Sequence, residues 1–249
     1  CHQNQSLATF LGGTRTQLDT GISIGIQPSD SELILKIQQA VDEGYQKIKL
    51  KIEPGQEYNI IKTARDHFGP ELPLMADANN AYTLADLPAL KALDPFQLIM
   101  IEQPLAWDDI RHHAEVAKAL ETPICLDESI ITLDNAAQMI DNKSGKIINI
   151  KPGRVGGFST AKAIHDLCAQ SQIPVWCGGM LESGVGRAYN VALASLPNFS
   201  IPGDVSASAR YWAQDIVNPE WTLTSEGRLN VPAAPGIGVT VDETYIDEL

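Results

Sequence analysis

Short apolar runs return along this chain at a nearly constant interval, and that rhythm restricts the fold more than any other feature. TGISIGI begins at residue 20, KIKLKI at 47, LPLMADAN at 72, LIMIEQP at 98, PICLDES at 123, IINIKPG at 147, PVWCGGM at 174 and FSIPGDVS at 199. Each is short, rich in large apolar residues and bounded by turn formers, which reads as a buried strand. The stretches between them carry helical spacing. In SELILKIQQAVDEG, residues 31 to 44, Leu33, Ile37, Ala40 and Val41 share a face, and Gly44 can adopt the left-handed conformation that stops a helix. Eight β units alternating with helices over about 190 residues imply parallel strands. The even spacing predicts a closed (β/α) barrel rather than an open, doubly wound sheet. No GxGxxG follows the first run and no GxxxxGK[ST] occurs anywhere.

The charge balance narrows the partners. With 31 acidic and 18 basic residues the net charge is −13, which opposes nonspecific attraction to nucleic acid or to anionic membrane. No apolar run approaches the ~20 residues that span a bilayer, and the N-terminus lacks the order of a signal peptide. Cys1, Cys125, Cys168 and Cys177 form no CxxC pair, which suits reduced thiols. A soluble, cytoplasmic protein is the expectation. Residues 1–19 begin abruptly and without Met, which reads as a fragment, and the Pro- and Gly-punctuated strand pattern beyond residue 211 is expected outside the barrel.

In a parallel barrel the C-terminal strand ends form the catalytic face, so ionisable residues there are candidates for chemistry. Lys49 and Lys51 close the second run, Asp77 the third, Glu102 the fourth, Asp127 with Glu128 the fifth and Lys151 the sixth. Successive spacings are 26 (51 to 77), 25 (77 to 102), 25 (102 to 127) and 24 (127 to 151), about one β/α unit each. Any one of these residues alone is more often a solvated loop side chain; their common repeat length is what argues for a site. Three carboxylates crowded at a low-dielectric mouth repel one another, and a divalent cation relieves the repulsion. An all-oxygen set without His or Cys suits a hard ion, Mg²⁺ or alternatively Mn²⁺. Lys49 and Lys51 are expected on one side of that ion and Lys151, four strands further round, on the other. An amine crowded by cations is pushed toward its neutral form, which can abstract a proton. Lys47 is expected exposed at the bottom of its strand, without a role. His2, His67, His112, His113 and His165 are expected to be solvated or capping.

KLK at 49 to 51, DAN at 77 to 79, IEQP at 101 to 104, DES at 127 to 129 and IKPGRVGG at 150 to 157 resemble the enolase superfamily, in its muconate-lactonizing-like branch, where Lys bases paired with Mg²⁺ are an established pattern. GGMLESGVGRAYNVALASLPNFSIPGDVSAS at 178 to 208, followed by RYWAQDIV, resembles the o-succinylbenzoate synthase and N-acylamino acid racemase family of menaquinone-making bacteria. The resemblance implies a modified TIM barrel of (β/α)7β type over residues 19–210, a remnant of an N-terminal cap and linker at 1–18, and a segment at 211–249 returning to an incomplete α+β cap. It further implies that Asp77, Glu102 and Asp127 bind Mg²⁺, that Lys51 is the acid/base on one face with Lys151 on the other, and that Lys49 assists electrostatically. Asn79 and Glu128 would brace the metal ligands, and Gly179, Met180, Leu181, Glu182 and Ser206 would line the substrate pocket.

The implied chemistry is removal of a proton α to a carboxylate, the partner being a small carboxylate molecule, in a chain expected to form a homo-oligomer. Dehydration of 2-succinyl-6-hydroxy-2,4-cyclohexadiene-1-carboxylate ranks ahead of N-acylamino acid racemisation. A dipeptide epimerase ranks lower, because Val205 and Ser206 follow Asp204 where that activity carries DxD. A noncatalytic barrel is disfavoured, since it has no reason to keep costly buried charges. Without the cap, these 249 residues alone are expected to show weak activity or none.

Overall fold

The structure is a computed structural model that describes residues 3–249. Its frame is a seven-stranded parallel sheet in which every strand pairs with its neighbours in sequence, in the order β2 to β8. These strands are β2 (Gly21–Ile24), β3 (Lys47–Lys51), β4 (Leu74–Asp77), β5 (Ile101–Glu102), β6 (Ile124–Leu126), β7 (Ile147–Ile150) and β8 (Val175–Cys177). Around them run α2 (Asp30–Asp42), α3 (Glu57–Phe68), α4 (Leu87–Lys91), α5 (Ile110–Ala119), α6 (Leu133–Asn142), α7 (Phe158–Gln170) and α8 (Gly184–Ala194). Strand side chains alternate between two cores. Ile48, Leu50, Ala76 and Ile148 face the helices, whereas Met75, Met100, Cys125, Ile147 and Trp176 form a separate cluster inside the ring.

Local chemistry sets the helix limits. Ser29 accepts a hydrogen bond from the Glu32 N–H at the start of α2, and Gly44, at φ +86°, lies just beyond its end. Leu33, Ile37 and Ala40 are buried as expected, but Val41 is exposed, because it falls at the edge of that stripe rather than in it.

The eighth run does not form a strand. Phe199 and Gly203 make only isolated bridges, to Val175 and Thr20. Pro202 has no N–H to donate, so a continuous ladder is interrupted there. The ring nevertheless closes through backbone bonds on both sides, from Gly21 N–H to Gly203 O at 2.7 Å on one and from Asp204 N–H to Cys177 O at 2.9 Å and Val175 N–H to Asn198 O at 3.2 Å on the other.

Outside the ring, β1 (Gln17–Asp19) pairs antiparallel with β10 (Arg228–Asn230), and β9 (Val217–Asn218) with β11 (Thr240–Val241). The short helix α1 (Leu7–Leu11) packs on α8, and α9 (Glu243–Glu248) ends the chain. Cys125, Cys168 and Cys177 are buried free thiols, while Cys1 and His2 fall outside the described residues. No helix among the described residues is long and apolar enough to cross a membrane.

Candidate active site

Ladder register delivers the site. Lys51 is level with Asp77, and Asp77 with Glu102, across β3, β4 and β5. Asp127 follows β6 two residues beyond Cys125, itself level with Glu102, so it enters from the same inner face. Lys49 Nζ lies 2.6 Å from the Asp204 carboxylate and 3.2 Å from those of both Asp77 and Glu102. Lys51 Nζ donates to Asp77 at 2.7 Å and to the Asn79 side-chain oxygen. On the far flank, Lys151 Nζ donates to Asp127 at 2.6 Å, and Arg154 pairs with the other Asp127 oxygen. Asn149 Nδ2 donates to Glu102 at 2.7 Å, and Asn79 Nδ2 to Glu128 at 3.1 Å.

The structure corrects the expectation for Lys47. Its side chain is fully buried, with Nζ 3.2 Å from Asp204 and 3.5 Å above the Trp176 ring. In a closed ring the lower end of a strand still faces the interior, so an i, i+2, i+4 series of lysines all point inward. Gly21 makes the room: a Cβ there would come within 2.6 Å of the Lys47 side chain. Exposure rises up the strand, from none at Lys47 through 5% at Lys49 to 30% at Lys51.

Two histidines also depart from expectation, His113 and His165 being buried. His113 Nε2 accepts from the Leu105 N–H and His165 Nε2 from the Asn198 N–H, so each braces a loop through a ring nitrogen.

Charge at the centre is unevenly satisfied. Burial raises the Asp204 pKa, but Lys47 and Lys49 outweigh it and hold the carboxyl well below its ordinary value. Burial likewise opposes the Lys49 charge, yet Asp204, Glu102 and Asp77 together hold its ammonium well above the usual range. Glu102 goes the other way. Burial, with Asp77 and Asp204 nearby, lifts it to about 7 against the pull of Lys49. Among the described residues no three His, Cys, Asp or Glu side chains converge as an ion-holding group. The carboxylates are turned instead onto amines: Asp77 and Glu102 onto Lys49, Asp127 onto Lys151. The donor chemistry nonetheless fits a hard dication, since three carboxylates enter from adjacent strands and Glu102 shares the single Lys49 ammonium with Asp77 and Asp204.

Above the centre opens a cavity of about 670 Å³. Lys49, Lys51, Asn79, Glu128, Lys151 and Asp204 form its charged floor, and Gly179, Met180 and Leu181 part of its wall. Glu182 lies behind that wall, accepting from the Met180 N–H and from Asn190, and Ser206 is buried against Arg187. Ser23, Gly153, Arg154 and Tyr211 also line the cavity and carried no expected role. Arg154 and Asp204 could have been found in the sequence: one sits in IKPGRVGG, and the other closes the eighth run as Asp77, Glu102 and Asp127 close theirs.

Architecture and site define a (β/α) barrel with an ionisable centre at the C-terminal strand ends. The chain belongs to the enolase C-terminal domain-like family, which it matches over residues 32–245, and so to the enolase superfamily. It is 54% identical to an o-succinylbenzoate synthase of Geobacillus kaustophilus, over 97% of this chain and 64% of that protein. To an N-succinylamino acid racemase of an Amycolatopsis species the identity is 50%, over 98% and 66%. An enolase superfamily member from Listeria innocua superposes with a TM-score of 0.95 at 46% identity, covering 99% of this chain and 66% of that one. The chain therefore spans somewhat under two thirds of the length of the first of these relatives.

Proposed function

We propose that the protein removes a proton α to a substrate carboxylate, as an o-succinylbenzoate synthase. The observation that carries this reading is the pair of inward amines, Lys51 on β3 and Lys151 beyond β7, held by different carboxylates, Asp77 and Asp127, with Glu102 between them. Asp77, Glu102 and Asp127 would hold Mg²⁺, which when bound supplies positive charge where an enediolate builds negative charge. Lys51 takes the α-proton and returns it to the departing β-hydroxyl. Lys151, as an ammonium, stabilises the enediolate from the other flank. Asn149 and Asn79 fix the Glu102 and Glu128 carboxylates by hydrogen bonding, and the cavity wall at Met180 and Leu181 covers the apolar part of the substrate. A cytoplasmic setting accords with the buried free thiols.

N-acylamino acid racemisation is the second reading, favoured by the similarity to the Amycolatopsis racemase; Lys151 would then deliver a proton to the opposite face. Assaying both reactions on the complete gene product, with Lys51→Ala and Lys151→Ala beside it, tests both readings. Each substitution is expected to lower α-proton exchange in D₂O by about 10²- to 10⁴-fold. Exchange retained in both variants would end the assignment, and racemisation without dehydration would reverse the ranking.

A further inference from the structure

Lys49 and Lys51 converge on one atom. Both amines reach Oδ2 of Asp77, Lys51 at 2.7 Å and Lys49 at 3.2 Å. Lys49 makes its shortest contact elsewhere, with Asp204 Oδ2 at 2.6 Å, while Lys47 Nζ lies 3.2 Å from the other oxygen of Asp204, an ion pair in which neither atom makes a hydrogen bond. Asp204 therefore draws Lys49 toward the closing seam, leaving the shorter contact with the Asp77 oxygen to Lys51. Among the described residues Lys151 pairs with Asp127 and shares no carboxylate with this group. Lys47 alone, fully buried over Trp176, would be a costly charge; beneath Asp204 it meets a counter-charge.

We propose that Asp204, braced by Lys47, is a positioning residue that sets the geometry of Lys51 and leaves that of Lys151 unchanged. The inference rests on the proton-transfer reading above, so its test includes a measurement independent of turnover. In a crystal structure of the Asp204→Asn protein, the Lys49 ammonium is expected to move onto Asp77 Oδ2 and displace Lys51 from it, with the Lys151 to Asp127 contact unaltered. Because Asp204→Asn leaves Lys47 without a counter-charge, the Lys47→Met/Asp204→Asn protein is made in parallel; it carries no orphaned cation and is expected to recover the thermal stability that the single variant loses.

The kinetic arm uses the complete gene product with the two enantiomers of N-succinylphenylalanine, which present the α-hydrogen to opposite flanks. Exchange in D₂O is expected to fall on the order of 10²-fold for the enantiomer served by Lys51, identified by its loss in Lys51→Ala, and to hold within a few-fold for the other. This asymmetry is expected to persist in the double variant although stability returns. Equal losses for both enantiomers, recovery of exchange together with stability, or a Lys49 that stays in place would each overturn the inference. A wild type that exchanges neither enantiomer would count against the racemase reading, and the crystal comparison would still decide the positioning of Lys51.

Discussion

Asp204 at the closing seam and Glu102 at the centre of the mouth, the first mostly and the second fully buried, both lie within 3.2 Å of the same Lys49 ammonium, yet they are driven in opposite directions. Burial raises both. Asp204 is approached by two lysines of one strand, and their charges win. Glu102 shares one lysine with two other acids, and burial wins. Proximity to a cation does not by itself keep a buried carboxylate ionised; what decides is how many cations and how many acids share the space. The seam is electrostatically closed by the chain's own side chains, whereas the centre has unmet demand for positive charge.

The largest expected effect separates the two sites by sign. Asp204→Asn takes the main counter-charge from Lys47, whose charged form burial already disfavours, and is expected to cost about 3–5 kcal/mol of unfolding free energy in urea titrations. Glu102→Gln, measured in chelator, keeps the contact with Asn149 and removes like-charge repulsion, so stability should be unchanged or higher. Loss of stability in both variants would erase the contrast.

Magnesium sharpens it further. Mg²⁺ at a hundred times its Kd is expected to stabilise the wild type by about 2.7 kcal/mol, read as a thermal shift, and the Glu102→Gln protein far less. Asp204→Asn should retain most of its Mg²⁺-induced shift; an equal loss there would place the seam in the ion site.

The pH dependences run oppositely too. Glu102 is lifted from 4.5 to about 7, so in chelator the folded protein holds a proton that the unfolded chain has released. Its contribution is present below about 4.5 and lost as pH rises toward about 7, on the order of 3 kcal/mol, and Glu102→Gln should flatten that decline. Asp204 is depressed below 3.8, so its contribution is present above about 4 and is lost as pH falls below that. The stability gap between wild type and Asp204→Asn should therefore be flat near neutrality and narrow in acid.

The smallest effect is expected from Lys47→Met, within about 1 kcal/mol or slightly stabilising, because Lys49 still serves Asp204 and Met fills the space over Trp176. A loss comparable with that of Asp204→Asn would make Lys47 the keystone of the seam instead of its brace.

Much of the frame was legible because its signals are local. Seven of the eight apolar runs contain a strand of the ring, since each carries its own buried face and turn residues. The eighth was misread because its contribution is two bridges and a few bonds across the seam, and Pro202 breaks the ladder in a way that apolar composition does not register. The inward direction of Lys49 and Lys51 follows from strand alternation, and the place of Lys151 on the other side follows from its lying four strands further round. The same alternation applies to Lys47, since a strand's lower end meets solvent only in a sheet that does not close. His113 and His165 differ for a related reason: their backbone partners, Leu105 in the loop before α5 and Asn198 beyond α8, meet them only in the folded chain.

The sequence alone determined the β/α alternation and the series of ionisable residues at one repeat length, because strand periodicity and element length are written residue by residue. The tertiary structure decided which carboxylate each amine meets, that Lys47 is buried rather than exposed, and that Asp204 and Glu102 diverge. Those outcomes depend on distances between strands far apart in the chain and on the exclusion of water from a closed ring, and neither exists until the barrel has formed.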